Sequence, residues 1–167
     1  MKRLILIRHA KSSWSGSNPS DKLRPLNERG KEAALQMGQW LQRADHMPDE
    51  VITSSATRCI QTWEGLAKTS GSAVTARPED DLYLADLPAM LAALQSATGN
   101  TVLMLGHMPG IGAFARALRR DPPPLHDQFS KYPTGAATVL EFRIDDWRNA
   151  QIGIAKFIAY MSPKELA

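Results

Sequence analysis

Four short apolar runs, each followed by a stretch of different period, constrain this chain more than any other feature. "RLILI" (3–7), "EVITSS" (50–55), "SAVTAR" (72–77) and "TVLML" (101–105) are rich in branched residues and too short for helices, so they are predicted as strands. "RLILI" is continuous rather than alternating, which fits a strand buried on both faces. Between these runs the spacing becomes helical. Asn27 is placed as the N-cap of a helix burying Ala34, Met37, Gly38 and Leu41. "ATRCIQTWEGLAKT" sets Ile60, Trp63 and Leu66/Ala67 on one face, and Asp86 caps a helix turning Met90, Leu91 and Leu94 inward. "IGAFARALRR" (111–120) is a further helix, stopped by "DPPP" (121–124), where proline removes the donor a helix needs.

"GAATVLEFRI" (135–144) and "QIGIAKFIAY" (151–160) follow as two strands with a short polar connection, hence an antiparallel pair at a sheet edge. Strand–helix alternation of this kind predicts an α/β fold with a mostly parallel six-stranded sheet between helical layers. With 167 residues, no internal repeat and no dividing linker, the chain is expected to form one domain, 1–167.

Sheets of this class bind ligands beyond the carboxyl ends of their strands. Arg8 and His9 follow the first strand, Arg58 comes just after the second, and His107 follows the fourth. Two cations and two imidazoles converging on one edge would repel one another unless an anion sat among them. A phosphoryl group fits that demand, because guanidinium binds its oxygens bidentately and backbone N–H groups at helix starts extend the cradle. His46 and His126 lie away from these strand ends and are expected to be structural.

Bulk properties narrow the remaining classes. The formal net charge is +3, from 20 basic and 17 acidic residues without a basic block, which argues against nucleic acid as a partner. Cys59 is the only cysteine, so no internal disulfide can form and a reducing compartment fits. The charged start "MKR" precedes only four apolar residues, Leu4 to Ile7, where a signal peptide needs roughly seven to fifteen. No run approaches the ~18 apolar residues of a membrane span. A soluble, cytoplasmic protein with no membrane partner is expected.

Rival motifs fit less well. "GIGAFA" (110–115) matches a dinucleotide fingerprint, but "GHMP" separates it from the strand and no strand-end acid follows; Gly110 and Gly112 are therefore helix-start glycines. No G-K-[ST] occurs for a P-loop. Cys59 heads an amphipathic helix rather than the Gly-rich, Arg-terminated loop of a cysteine phosphatase, and no histidine pair has metal-ligand spacing.

"LILIRHAKSSW", "RPLNERGKEAA", "SSATRCIQT" and "LGHMPG", in this order, resemble the histidine phosphatase superfamily, the phosphoglycerate mutase-like proteins, and within it the short SixA-type phosphohistidine phosphatases. The resemblance runs through nearly the whole chain, to "PTGAATVLEF". It implies a three-layer α/β/α sandwich in which His9 is the nucleophile and becomes phosphorylated, with Arg8, Arg58 and His107 completing the phosphate pocket. Ser12 and Ser15 stand where larger members place polar phosphate contacts. Met108 stands where those members read Asn, leaving only its backbone N–H for substrate. Many relatives carry a glutamate general acid after the third strand; here "DDLYLAD" puts Leu84 in that place, with Asp80 and Asp81 upstream.

A positioned acid supplies about 10²–10⁴-fold for a basic leaving group. An imidazole, of pKa about 6.5 when released, needs it far less. The resemblance thus implies a protein phosphohistidine phosphatase acting on a phosphorylated protein, without metal or organic cofactor. A small-molecule phosphatase or mutase and a non-catalytic phosphate-binding module are the alternatives.

Overall fold

In the computed structural model, which describes residues 1–14, 20–122, 124–126 and 128–167, the first strand is β1 (Lys2–Arg8). Leu4, Ile5, Leu6 and Ile7 are all fully buried, and the two-residue period of a strand divides them between two cores. Leu4 and Leu6 pack on one side with Val102 and Met104, and Ile5 and Ile7 on the other with Leu103 and Leu105. A continuous apolar run is what two covered faces require.

The other strands are β2 (Glu50–Ser54), β3 (Arg77–Glu79), β4 (Thr101–Gly106), β5 (Ala137–Phe142) and β6 (Lys156–Met161), in the order β3-β2-β4-β1-β5-β6. The first four strands in that order pair in parallel, and β5 runs antiparallel to both β1 and β6. Helices α1 (Glu28–Arg43) and α2 (Thr57–Ser70) cover one face, burying Met37, Leu41, Trp63 and Leu66. Helices α3 (Leu87–Gln95) and α4 (Gly110–Leu118) cover the other with Met90, Leu94, Ile111 and Phe114, giving the expected three layers. A short α5 (Pro163–Leu166) packs beside α1. Among the described residues, no helix is long and apolar enough to cross a membrane.

Local signals held where a side chain caps its own backbone. Asn27 accepts from the Gly30 amide at 2.8 Å and Asp86 from the Ala89 amide at 3.0 Å, fixing the starts of α1 and α3. The expected face of α1 (Ala34, Met37, Gly38, Leu41) is buried.

Four placements differ from expectation, the first being the last strand, which begins at Lys156 rather than 151 because Ile152 and Gly153 (φ +79°) form a turn. The third strand lies at Arg77–Glu79 rather than 72–77, because Val74 and Ala76 pack against the α1/α2 core and the Val74 carbonyl accepts from Trp63 Nε1 instead of pairing in the sheet. Alternating apolar residues there report burial, not strand pairing. The buried side of α2 is rotated: Ile60 and Ala67 are half-exposed, while Arg58, Cys59 and Thr62 face inward. Arg58 and Thr62 are polar, so hydropathy cannot place them inside. Leu91 on α3 is likewise only half-buried.

Two glycines let α1 approach its neighbours. A Cβ at Gly38 would lie 2.1 Å from Thr69 Oγ1 and 2.5 Å from the Leu66 carbonyl of α2. At Gly30 it would lie 2.0 Å from the carbonyl oxygen of Lys11, in the loop that follows β1. Backbone cannot yield there as a flexible side chain would. Gly30→Ala should cost about 1–3 kcal/mol, lowering Tm by roughly 2–12 °C. Thermal unfolding of the purified variant checks this, and a wild-type Tm would refute the packing argument.

Candidate active site

The parallel register of β1 and β4 aligns Arg8 with Gly106, so His9 and His107 each stand one residue beyond a paired strand end. The His9 amide donates to the Gly106 carbonyl at 3.1 Å, continuing the ladder by one bond. On the other flank the Arg8 amide donates to Ala136 at 3.0 Å. Gly135, at φ +79°, turns its amide onto the carbonyls of both Arg8 and His9 at 3.0 Å. The two imidazole centroids lie 5.4 Å apart. From the next strand, β2 ends at Ser54 and Arg58 is the second residue of α2.

These groups line an open cleft of about 510 Å³ at the carboxyl edge of β1, β2 and β4. The adjacent strands β1 and β4 lead into helices on opposite faces, α1 and α4, and the cleft lies at that switch. A neighbouring groove of about 570 Å³ meets it at Lys11 and Thr134 but contains no histidine.

His9 has one defined tautomer. Its Nδ1 lies 2.7 Å from the Ala10 carbonyl, which can only accept, so Nδ1 carries the proton and Nε2 the lone pair. The carbonyl is itself fixed: the Ala10 amide donates to Thr62 Oγ1 at 3.0 Å, and that hydroxyl donates to the Arg58 carbonyl at 2.7 Å. Burial, assisted by Arg58, Arg8 and Arg24, lowers the His9 pKa to about 4 against the opposing pull of the Ala10 bond.

His107 is assigned by the same logic. Arg58 Nη2 can only donate, at 3.2 Å to His107 Nδ1, so Nε2–H donates to Ser54 Oγ at 2.7 Å. Burial and then Arg58 lower its pKa to about 3. The expected repulsion between cations and imidazoles is therefore relieved by keeping both rings neutral.

Arg8 and Arg58 are anchored from behind. Arg8 Nη1 donates to the Tyr132 carbonyl at 2.9 Å, aimed by a backbone at φ +47°. The fully buried Tyr132 donates its hydroxyl to the Leu6 carbonyl at 3.0 Å. Arg58 is 2% exposed; its Nη1 donates to the Asp21 carbonyl at 2.8 Å and its Nη2 to Asp21 Oδ2 at 3.1 Å. Arg8 Nε and Arg58 Nε are buried donors with no acceptor among the described residues. Two guanidiniums converging on one cleft beside neutral rings favour an anion there.

Asp21 lines the same cleft, and the strand-end pattern does not point to it. Its carboxylate also accepts from Arg24 Nε at 3.1 Å and from the Tyr83 hydroxyl at 2.5 Å. The Tyr83 bond, followed by Arg24 and Arg58, holds its pKa at about 2, so it is ionised at any working pH. Arg24 opens the motif "RPLNERG", and an acid three residues before it was the available signal.

Among the other expected residues, Ser12 lines the cleft and accepts from Arg24 Nη1 at 2.5 Å, while Met108 lines it half-buried. Ser15 lies outside the described residues. Leu84 lines the cleft, but Asp80 and Asp81 do not: Asp80 pairs with Lys22 at 3.0 Å on the surface, and Asp81 is exposed. Burial raises the Cys59 thiol to about 12, which keeps it from acting as a thiolate. His46 packs on Trp40 and His126 pairs with Glu165, both outside the cleft.

Comparison with known proteins places this geometry among relatives. A family model described as the histidine phosphatase superfamily (branch 1) matches residues 4–83, a stretch that contains Arg8, His9, Asp21 and Arg58. The uncharacterized protein Rv1276c of Mycobacterium tuberculosis is 31% identical over 164 residues, covering 95% of this chain and all of that one. The structure of a candidate phosphohistidine phosphatase SixA from Nakamurella multipartitia is 31% identical, with a TM-score of 0.80 over 97% of this chain and 96% of the other. The protein histidine phosphatase SixA complexed with tungstate shares the fold at 24% identity, with a TM-score of 0.80 over 99% of each chain.

The neutral rings give a pH prediction with a definite sign. An unfolded histidine binds its proton near pH 6.5, whereas His9 and His107 in the fold wait until about 4 and 3. Between these limits the unfolded chain holds more protons, so stability should fall as pH drops from about 7 toward 4. Ring ¹⁵N spectra should show His9 as the Nδ1–H tautomer down to about pH 4. Titration of either ring near 6.5 would refute the assignment.

Proposed function

Because this chain belongs to the histidine phosphatase superfamily, we propose that it is a protein phosphohistidine phosphatase with His9 as the nucleophile. The observation that carries this reading is the free Nε2 of a neutral His9, fixed by the 2.7 Å bond to Ala10 beside the Arg8 and Arg58 guanidiniums in one cleft. The likeness to the candidate SixA enzyme of Nakamurella supports the choice of substrate.

His9 Nε2 attacks phosphorus in line, forming a P–N bond as the bond to the leaving nitrogen breaks and its electron pair departs with that nitrogen. A leaving imidazole protonated at its other nitrogen departs neutral. Water then attacks phosphorus, the P–N bond breaks, its pair returns to Nε2, and the water's protons pass to phosphate and solvent. Arg8 and Arg58 hold the transferring oxygens, so catalysis here is positioning and charge stabilisation. His107 stays neutral, and its Nδ1, by accepting from Arg58 Nη2 at 3.2 Å, holds that guanidinium in the cleft.

Among the described residues, no carboxyl or phenol at the cleft is poised to give up a proton. The carboxylate, Asp21, is held ionised by Tyr83 and two arginines, and Tyr83 is raised above its usual value by donating to that carboxylate. Leu84 cannot donate a proton. The leaving group must therefore depart without help, which suits imidazole and aryl oxide over alkoxide.

During turnover of ³²P-labelled substrate, label should appear on His9 as an acid-labile, alkali-stable adduct; label on Cys59 or Ser12 would sink the mechanism. Across phosphate esters graded by leaving-group pKa, kcat/KM should rise steeply as that pKa falls. Aryl phosphates and phosphohistidine should exceed alkyl phosphates by about 10²–10⁴-fold. A flat dependence would show that a general acid operates. A screen of phosphohistidine proteins beside metabolite phosphates then separates the protein substrate from a small-molecule one.

A further inference from the structure

A cleft that gripped only a phosphoryl group would need donors, yet this one also carries three large apolar side chains: Trp14, Leu84 and Met108. Trp14 is 82% exposed and Leu84 is 57% exposed. Exposed tryptophan is expensive to leave in water and is the residue type most enriched where ligands and partners dock.

Nor does the Trp14 ring hang freely. The Arg24 guanidinium carbon lies 3.6 Å from its centroid, covering one face. Arg24 is pinned in turn by Ser12 Oγ at 2.5 Å, the Ser13 carbonyl at 3.4 Å and Asp21 Oδ1 at 3.1 Å. Asp21 binds Arg58. One chain of contacts thus runs from the phosphate-gripping guanidinium to the aromatic rim and sets the distance between them.

We propose that Trp14, with Leu84 and Met108, forms a leaving-group subsite that takes a flat unsaturated ring by stacking on the open face of Trp14. The proposal rests on the phosphoryl-transfer reading of the same cleft and specifies its substrate: phosphorus bonded to a planar ring, as in phosphohistidine or an aryl phosphate. Tryptophan held in place before binding loses little side-chain entropy, so most of the stacking energy reaches affinity. Flat stacking also separates this subsite from a merely greasy one, since a puckered saturated ring of similar area cannot lie flush on the indole and has no π-system to complement it.

The test uses phosphonates, whose C–P bond resists hydrolysis, so binding is measured apart from turnover. Phenylphosphonate should bind wild type roughly 3- to 10-fold more tightly than methylphosphonate or cyclohexylphosphonate, a gain of the size stacked aromatic pairs provide. Trp14→Ala should bring that ratio close to one, and Trp14→Phe should keep most of it. Equal binding of phenyl and cyclohexyl probes to wild type, or an undiminished ratio in Trp14→Ala, would overturn the proposal. Failure of every phosphonate to bind would instead remove the phosphoryl site, and the subsite with it.

Kinetics on intact enzyme separates the two sources of a flat ring. Relative to phosphoramidate, which has a P–N bond and no ring, Trp14→Ala should lose kcat/KM through KM on both a phosphohistidine protein and p-nitrophenyl phosphate. Loss on the aryl ester alone would support the subsite but assign it to small aryl phosphates. Loss on neither would overturn it.

Discussion

The parallel pairing of β1 with β4 is the constraint on which the rest of this molecule depends. Leu4 to Ile7 and Val102 to Leu105 are fully buried, so neither strand can slip without turning its side chains into the wrong core. That register places Arg8 opposite Gly106, and the two histidines that follow emerge side by side. Because β4 inserts between β1 and β2, the chain leaves β1 and β4 toward opposite helical layers, and the cleft opens between them. The deepest apolar packing and the most polar chemistry therefore share one pair of strands.

Electrostatics then decides the state of what the strands deliver. Two charged imidazoles 5.4 Å apart would repel by roughly 3 kcal/mol at an effective dielectric of about 20, and the neighbouring guanidiniums would add to that. Loss of a proton costs an imidazole almost nothing at neutral pH, so both rings are neutral. Asp21 completes the balance from outside, bonding Arg58 through both its carboxylate and its carbonyl while accepting from Arg24 and Tyr83. Its ionised carboxylate is thus a fixed counter-charge that orients Arg58, not a proton donor. Polar anchoring of this kind continues outward to Trp14, so the rim is tied to the centre.

Much of this could be read from residue order. Strand ends carrying Arg8-His9 and His107, an arginine just inside α2, and caps at Asn27 and Asp86 are local patterns whose physical causes operate within a few residues. The rotated face of α2 was not legible, because Thr62 and Arg58 are buried for the hydrogen bonds they make to Ala10 and Asp21. A hydropathy pattern assigns such residues to solvent. The displaced third strand failed for the converse reason: Val74 and Ala76 are apolar because they pack on helices. Asp80 and Asp81, upstream of Leu84 in chain order, proved to lie outside the cleft, whereas Asp21 comes into it from a turn far away in sequence.

Residue order alone settled the alternation that makes this an α/β sheet, the depth at which β1 is buried, and the identity of the cations and imidazoles at the strand ends. Those follow from period, volume and chemical type, which a chain carries before it folds. Which nitrogen of His9 is free, which acid faces Arg58, and which aromatic ring borders the cleft were decided only in three dimensions. Each depends on a hydrogen bond or close approach between residues from separate elements: Ala10 with Thr62, Asp21 with Arg58 and Tyr83, Trp14 with Arg24. Such pairings are set by packing, and packing is a property of the whole fold.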